Sequence, residues 1–416
     1  MVNNRLNGRE TAIWMGLPIL LLAFGHTLSN LLRTMPAIAT DVIAADLLVS
    51  TETIASLASA YHFAFAAGQI PVGVALDRYG VRKVSLTLLT AVTLGACMAL
   101  WVQGPMGFLL MQISLGLACC GMLLAPMTLV AKTMPPMKFA LWSGLVQGIG
   151  NAGMLLSASP LAWLVEHQGW RSGFLLTAVL SALLAAGVFL VVPRLPERLR
   201  RAPKASLLTE AREVIRIGVS PSLRAIMVLS LVSFSASITI RGMWGGPWLM
   251  DVKGLDRVSA GQGMLPLTLA LVCGPILYGL LDRRIGRTAF VLAAGHFVAG
   301  SVLIVLALSQ TPVWGWLGGG VMPAGFDVSM FLLFGIAMGC GPLLFAMGRT
   351  LISADQAGKA LAAINLSFFV GAALVQGSTG PVASLGGVPA VLAFVGLLMW
   401  TAVGYFAYRI WGRRGG

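Results

Sequence analysis

Charge is what this sequence lacks most. Only 10% of its 416 residues are Asp, Glu, Lys or Arg, against about 25% in an ordinary soluble domain. A large water-facing surface is therefore excluded. Histidine occurs four times, scattered, and carboxylates do not cluster, so no metal-binding or hydrolytic constellation is present and no cofactor is expected. No Gly-rich loop runs into Lys-Ser or Lys-Thr, which removes the usual phosphate cradle of an ATP-driven machine. The five cysteines (Cys97, Cys119, Cys120, Cys273 and Cys340) all lie inside apolar runs. They are expected as small buried hydrophobes and not as a disulfide set. No small-residue cleavage site follows the first apolar run, so that run is expected to stay as a span. The fourteen acids all fall outside expected midmembrane depth, with Asp41 nearest to it.

What remains is apolar. Hydrophobic residues make up 57% of the chain, with 50 glycines and a mean hydropathy of +0.88. A membrane-crossing helix needs roughly 20 apolar residues. The runs place twelve spans at 12–42, 52–75, 84–103, 106–131, 138–165, 171–192, 222–250, 259–281, 287–309, 325–349, 357–383 and 388–411. The expected fold class is an all-α membrane protein, with twelve transmembrane helices as two pseudo-symmetric six-helix bundles. The expected domains are an N-terminal bundle over 1–192, a cytoplasmic linker over 193–221 with a helical piece near Thr209–Ile217, and a C-terminal bundle over 222–416. Pro36 and Pro247, late in two long spans, are candidate kinks. Residues 311–327, with Trp314, Trp316 and Gly318-Gly319-Gly320, read as an external loop with interfacial tryptophans.

The net charge of +14 does not indicate nucleic acid, because of where the cations sit. With both termini cytoplasmic, 23 of the 28 Lys and Arg face the cytoplasm. Arg171, Lys253 and Arg257 face outward, and Arg33 and Arg241 lie inside spans. This is the positive-inside asymmetry of an integral, multi-pass protein of the inner or plasma membrane. The cations then meet anionic lipid headgroups.

One polar break carries a pattern: Gly73-Val-Ala-Leu-Asp77-Arg78-Tyr-Gly80-Val-Arg82-Lys83. A looser copy follows at Gly279-Leu-Leu-Asp282-Arg283-Arg-Ile-Gly286-Arg287, with one extra residue between its Asp and second Gly. Arg33 precedes Asp77, and Arg241 precedes Asp282, by similar distances. Lys132-Thr133 and Arg349-Thr350 end matching spans, and the Gly150–Pro160 spacing recurs at Gly371–Pro381. The chain therefore reads as a duplication. Its first break resembles the loop signature of the major facilitator superfamily, and Pro160…Gly169-Trp170-Arg171…Phe174 is similar to that superfamily's connection between the fifth and sixth helices. The resemblance implies secondary transport by alternating access and no enzymatic activity. It also implies that Gly73, Asp77, Arg78, Gly80, Arg82, Lys83, Asp282, Arg283 and Arg287 serve gating.

Two subgroups supply expectations about the cargo. Leu31-Leu-Arg33-Thr-Met-Pro36 is similar to the first helix of organophosphate–phosphate exchangers. There, arginines of the first and seventh helices clamp phosphate, which implies that role for Arg33 and Arg241. Gln69-Ile-Pro-Val-Gly73 looks more like sugar-acid and organic-anion symporters. The exchangers carry lysine where this chain has Gln69. Gln112, Cys119, Cys120 and Thr128 stand where the symporters place an arginine and acids.

Independently of resemblance, an arginine at membrane depth is costly unless it faces a wet cavity or a partner, and its fork of donors suits carboxylate or phosphate. Snorkelling to the interface is the alternative. His26, Asn30 and Arg33 share one helical stripe, as do His62 and Gln69, Gln147 and Asn151, and Asn365 and Gln376. Such stripes line a cavity or bond helix to helix. Trp244 and Trp248 follow Arg241 at helical spacing, as a floor for a ring or as interfacial residues. The expected partner is a small anion (carboxylate, sugar acid or organophosphate), moved by a monomer. A coupling proton on His26 or His62 and exchange against a counter-anion both stay open. An exporter, or a receptor that keeps a transporter fold, are the rival functions.

Overall fold

A computed structural model of the chain describes residues 8–134, 136–156, 159–194, 207–316, 319–320, 322–352 and 357–412. Among these residues every regular element is helical. Helix α1 is bent, running Gly8–Thr34 and resuming as Pro36–Asp46. The break falls at Pro36, which cannot donate a backbone hydrogen bond to the preceding turn. Then come α2 (Thr51–Tyr79), α3 (Val81–Cys97), α4 (Pro105–Cys119 with Leu124–Thr133), α5 (Pro136–Leu156 with Ser159–Gln168) and α6 (Trp170–Val191).

The second half repeats this plan. It has α7 (Arg224–Val252), α8 (Arg257–Gly263 with Leu265–Ile285), α9 (Thr288–Leu308) and α10 (Ala324–Met338 with Leu343–Thr350). The last long helix, Ala357–Trp411, departs from helical geometry at Gly386 and Gly387 and so supplies α11 (357–385) and α12 (388–411). Nine described stretches are long and apolar enough to cross a membrane, and one of them, Lys359–Trp411, is two spans. With α1 and α2 they make twelve, in two six-helix bundles. A linker helix, Leu207–Gly218, lies between the halves in sequence. Residues 195–206 of the expected linker lie outside the described residues. The end of the molecule carrying the linker helix and the α2–α3 turn is called the linker end below, and the opposite one the far end.

The duplication is visible in the backbone. Positive φ occurs at Gly80 and Gly286 in the α2–α3 and α8–α9 turns, and at Gly169 and Gly387 in the α5–α6 and α11–α12 turns. It also occurs at Leu48 and Gly254 in the α1–α2 and α7–α8 turns. Five of these six positions are glycine, which enters that region without a Cβ clash. Helix contacts repeat too. A Cβ added to Gly153 would sit 2.0 Å from the Thr27 carbonyl oxygen, and one added to Gly371 would sit 1.9 Å from that of Leu231. Small residues thus let α5 lie against α1, and α11 against α7, at backbone distance.

Two expectations need correction here. Cys273 is exposed on the flank of α8, not buried, and Cys97 is only half-buried. An apolar thiol can face lipid as readily as a core, so hydropathy cannot tell the two apart. Residues 311–327 are not all loop: Pro312–Trp316 is a short helix with Trp316 exposed, and Asp327 lies inside α10. Gly318 of that run lies outside the described residues.

In the signature turn, Gly80 caps α2 and starts α3. Arg82 donates to the Phe189 carbonyl of α6 and lies over its ring, while Arg78 lies over Tyr79. Gly73 faces Leu124 of α4. Lys83 and Arg287 are exposed. The side chains of Asp77, Asp282 and Arg283 lie outside the described set.

Leu48 stands where its counterpart turn has glycine, and positive φ costs a side-chain-bearing residue about 1–2 kcal/mol. Leu48→Gly should therefore raise the apparent melting temperature, by about 1–2 °C for a chain this long. A fall on differential scanning fluorimetry would show that Leu48 contributes more by contact than it loses by strain.

Candidate functional site

The two bundles meet along α2 and α11, which run antiparallel. From the far end inward, Gly380 abuts Glu52 and Ser56, and Gly377 abuts Ser59. Farther in, Phe369 packs on Phe65 with ring centroids 4.1 Å apart, and Asn365 Nδ2 donates to Gln69 Oε1 at 3.1 Å. Gln69 is anchored in its own half, its Nε2 donating to the Cys120 carbonyl at 2.9 Å. Two of the predicted polar stripes therefore join as a hydrogen bond between the halves.

Arg33 projects from the end of the first part of α1 into this seam and is 5% exposed. Its guanidinium carbon lies over Phe65 at 5.0 Å, Phe369 at 5.2 Å and Phe234 of α7 at 5.6 Å. Ring faces carry negative potential and attract the cation. Among the described residues no carboxylate pairs with it, and its Nε has no hydrogen-bond partner. His62, buried one turn from Phe65, lacks a partner at both ring nitrogens. Asn30 donates to the Gly150 carbonyl at 2.9 Å and lies 3.4 Å from His26 Nε2, and its Oδ1 is left without a partner. Gln147 reaches His26 from α5 and is itself exposed, while Asn151 is half-buried. Gln376, farther along the Asn365 stripe, is buried with its Oε1 unpartnered.

Arg241 is nearly inaccessible, at 1% exposure. Its Nε donates to Thr268 Oγ1 of α8 at 2.6 Å, and one terminal nitrogen donates to the Met154 carbonyl of α5. The Arg33 carbonyl lies beside Gly242, so the two arginines start from adjacent backbone. Their side chains then engage different elements, Arg33 on the α2–α11 side and Arg241 on the α5–α8 side. Around Arg241 the helix widens into π-turns at Ile240–Trp244 and Trp248–Val252, on either side of Gly245–Pro247. A π-turn shifts the side chains that follow it. Trp244 is buried and donates to Thr379 of α11 at 2.8 Å.

Trp248 is fully buried, which overturns an interfacial position. Its Nε1 donates to Asp327 Oδ1 at 2.8 Å, and Lys253 Nζ lies 3.1 Å from Asp327 Oδ2. The acid read as part of an external loop is thus the partner of a buried indole and a buried ammonium. The expected loop (311–327) and the expected span (325–349) overlap at this residue, and the helix start at Ala324 puts it inside α10.

The far end is closed by ions. Arg257 at the start of α8 donates to both oxygens of Asp41 on α1 (2.8 and 2.6 Å), to Glu166 on α5 (2.9 Å) and to the Ile38 carbonyl. Asp256 caps the same helix through Ser259, and those hydrogen bonds hold its carboxyl below the usual range. Among the described residues, these Arg257 pairs are the ion pairs that join one half to the other. Phe65, Phe234, Phe369, Asp327 and Arg257 did not stand out in the sequence. The available signal was spacing: Phe65 lies four residues before Gln69, and Phe369 four after Asn365.

The family model described as "Major Facilitator Superfamily" matches residues 19–376. A Bacillus subtilis (strain 168) protein named "Putative niacin/nicotinamide transporter NiaP" is 26% identical over 58% of this chain and 59% of its own length. The tetracenomycin C resistance and export protein of Streptomyces glaucescens is 23% identical over 93% of this chain and 76% of its own. The chain spans about three fifths of the length of the first curated relatives it matches. Among solved structures, nucleoside transporter NupG superposes with a TM-score of 0.73 at 14% identity, covering 95% of this chain and 99% of that one. A bacterial homologue of the human lysosomal transporter Spinster, inward-facing and occupied, gives 0.74 at 14% identity over 94% and 96%.

Two outcomes follow from this geometry. Asp327→Asn should cost about 3 kcal/mol, because it strips the counter-charge from buried Lys253. Adding Lys253→Met should recover most of that loss in thermal unfolding; no recovery would mean that the pair does not act as a unit. Separately, Arg257→Ala should loosen the far end. A cysteine placed at buried Ile38 should then react several-fold faster with an impermeant maleimide, as expected when ion pairs worth a few kcal/mol are removed. An unchanged rate would mean that packing alone holds this end shut.

Proposed function

Since the chain belongs to the Major Facilitator Superfamily, we propose that it is a secondary transporter moving a small organic anion, with Arg33 as the principal anion-binding group. The observation that carries this reading is that Arg33 is buried at the junction of both bundles with no carboxylate beside it among the described residues. A cation kept at membrane depth without a fixed counter-charge favours a mobile one. His62 and Asn30, with unpartnered polar atoms, would complete the site. Arg241 has committed donors on α5 and α8. Its part is to tie the halves together, and it yields a donor to the anion only when that tie opens.

In this reading the bundles 1–192 and 222–416 rock about the site, joined through 193–221. The linker end is cytoplasmic, where the cations concentrate, and both termini lie there. The conformation is then closed outward by Arg257 and its acids. The signature turn serves gating at the cytoplasmic end, with Gly80 setting the turn and Arg82 holding α3 to α6. The relative named for niacin adds a carboxylate-bearing candidate to the panel. A second reading, export, is favoured by the relatives named for tetracenomycin C and methylenomycin A resistance.

Counterflow in proteoliposomes, using labelled carboxylates, sugar acids, sugar phosphates and nicotinate, tests the proposal. An anion should exchange, and Arg33→Ala should reduce the rate by about a hundredfold, as loss of a buried charge pair predicts. Arg33→Ala that transports like the parent sinks the assignment. Binding without any counterflow would favour a receptor, and uptake of neutral drugs alone would favour the exporter.

A further inference from the structure

We propose that the flank of the second bundle is a binding site for one anionic phospholipid. An acyl chain would lie in a groove between α8, α9 and α10, with the phosphate held by Arg284 and Arg287. This site is separate from the cargo site and does not depend on what is carried.

The groove follows from how three helices pack. Helices α8 and α9 each lie along α10 and scarcely touch one another. A Cβ added to Gly274 would sit 2.8 Å from the Gly339 Cα, and one added to Gly295 would sit 2.9 Å from the Ala337 carbonyl oxygen. Glycine thus brings both helices down onto the α10 backbone. The space left between them is a cavity of about 210 Å³. Its floor is Val291, Gly295 and Ala337, all buried, and its rims carry the exposed side chains of Leu281, Phe290 and Leu333. The cavity therefore opens sideways from the bundle, on the surface that lipid covers. Along α9 it runs from Phe290 to Val298, about 12 Å at 1.5 Å per residue. A long apolar trough suits an alkyl chain.

The first bundle shows what fills the matching place there. Tyr278 and Ala294 both line the groove. Their counterparts are Val72 and Leu88. Tyr278 and Val72 each stand one residue before the first glycine of the turn motif, Gly279 or Gly73. Ala294 and Leu88 each stand eight residues after its second glycine, Gly286 or Gly80. In the first bundle Leu88 Cδ1 and Val72 Cγ1 reach α4, 2.5 and 2.6 Å from where a Cβ on Gly121 would be. Protein fills that seam. In the second bundle Ala294 is too short to do so, and the place of the leucine is open. An apolar void in a bilayer is unfavourable, because its lining forgoes dispersion contacts, and a lipid chain fills it without crossing water.

The chain sets no preference among lipids, since their tails are alike. The headgroup does. Arg284 adjoins Ile285, which lines the groove, and Arg287 lies three residues before Phe290. Both arginines are exposed, and among the described residues neither pairs with an acid. They stand at the linker end of the trough, where the headgroup of a seated lipid would lie. Cations at that height attract anionic lipid, and arginine binds phosphate through paired donors. A choline headgroup brings its own cation and gains less.

The test uses the full-length protein in nanodiscs with trace phosphatidylglycerol or phosphatidylcholine carrying a diazirine on one tail, and maps the labelled peptides by mass spectrometry. Phosphatidylglycerol should label α8–α10 about 25-fold more than phosphatidylcholine, a factor of about five for each arginine near the headgroup. Ala294→Leu, which restores the side chain found in the first bundle, should lower that labelling about tenfold without lowering the melting temperature. Arg284→Gln with Arg287→Gln should make the two lipids label alike while labelling of the groove persists. Equal labelling by both lipids in the parent overturns the anionic preference. Labelling indifferent to Ala294→Leu overturns the groove as the seat of the chain. Capture of a second copy of the chain by p-benzoylphenylalanine placed at Leu333 overturns the lipid reading in favour of self-association.

Discussion

A guanidinium inside a bilayer must be paid for, and everything near the centre of this molecule is arranged around that requirement. An unpaired cation at membrane depth is unfavourable by several kcal/mol. Arg33 receives ring faces from three helices and the proximity of neutral polar groups, but no carboxylate among the described residues. Ring faces return only about 1–2 kcal/mol each when desolvated. The remainder is an unmet demand for negative charge, and it lies where the two bundles touch. Lys253 offers the contrast within the same chain: it is buried beside Asp327 and its demand is met. One cation has a carboxylate partner, and the other has none among the described residues.

In the proposed mechanism the same seam ties binding to conformation. Only a ligand with different affinity for two states can move their equilibrium. Arg33 belongs to one half, whereas two of its three rings belong to the other, and the Asn365–Gln69 hydrogen bond crosses one turn away. Any motion that parts α2 from α11 therefore changes what surrounds Arg33. At the far end, Arg257 grips Asp41 on the second part of α1, beyond the break at Pro36. The break at Pro36 separates the part of α1 that Arg257 holds from the part that carries Arg33.

Much of the fold was legible because the bilayer imposes a coarse code. Apolar run length gives the spans. The Gly73–Lys83 turn and its weaker copy exposed the duplication, which the matched positive-φ positions now express as backbone geometry. Polar stripes were legible as well, since Gln69 and Asn365 meet each other and Asn30 meets His26. What stayed hidden follows from the same code. In a chain that is 57% hydrophobic, Phe65, Phe234 and Phe369 look like any lipid-facing or core phenylalanine. Only the antiparallel register of α2 on α11 brings two of them together. Asp327 fell where the expected loop (311–327) and the expected span (325–349) overlapped, and only the fold shows it buried against Trp248 and Lys253. Trp248 was hidden by the π-turns, because they rotate it off the face that a regular helix predicts.

The widened turns of α7 also explain why two arginines at matched positions do not do the same thing. Duplication places Arg33 and Arg241 alike, and their backbones remain neighbours at Gly242. In α1 the chain breaks after Arg33, at Pro36, and leaves the side chain free to enter the seam. In α7 the chain instead widens at Ile240–Trp244 and continues, and Arg241 turns towards Thr268 and Met154. One copy of the arginine is thereby left with an unfilled donor, and the other becomes a tie across α5 and α8. An ancestral two-fold arrangement that is broken by local helix geometry gives two unlike arginine environments, and the proposed anion site is asymmetric as a result. An asymmetric site can orient a ligand that has a charged end and an apolar end.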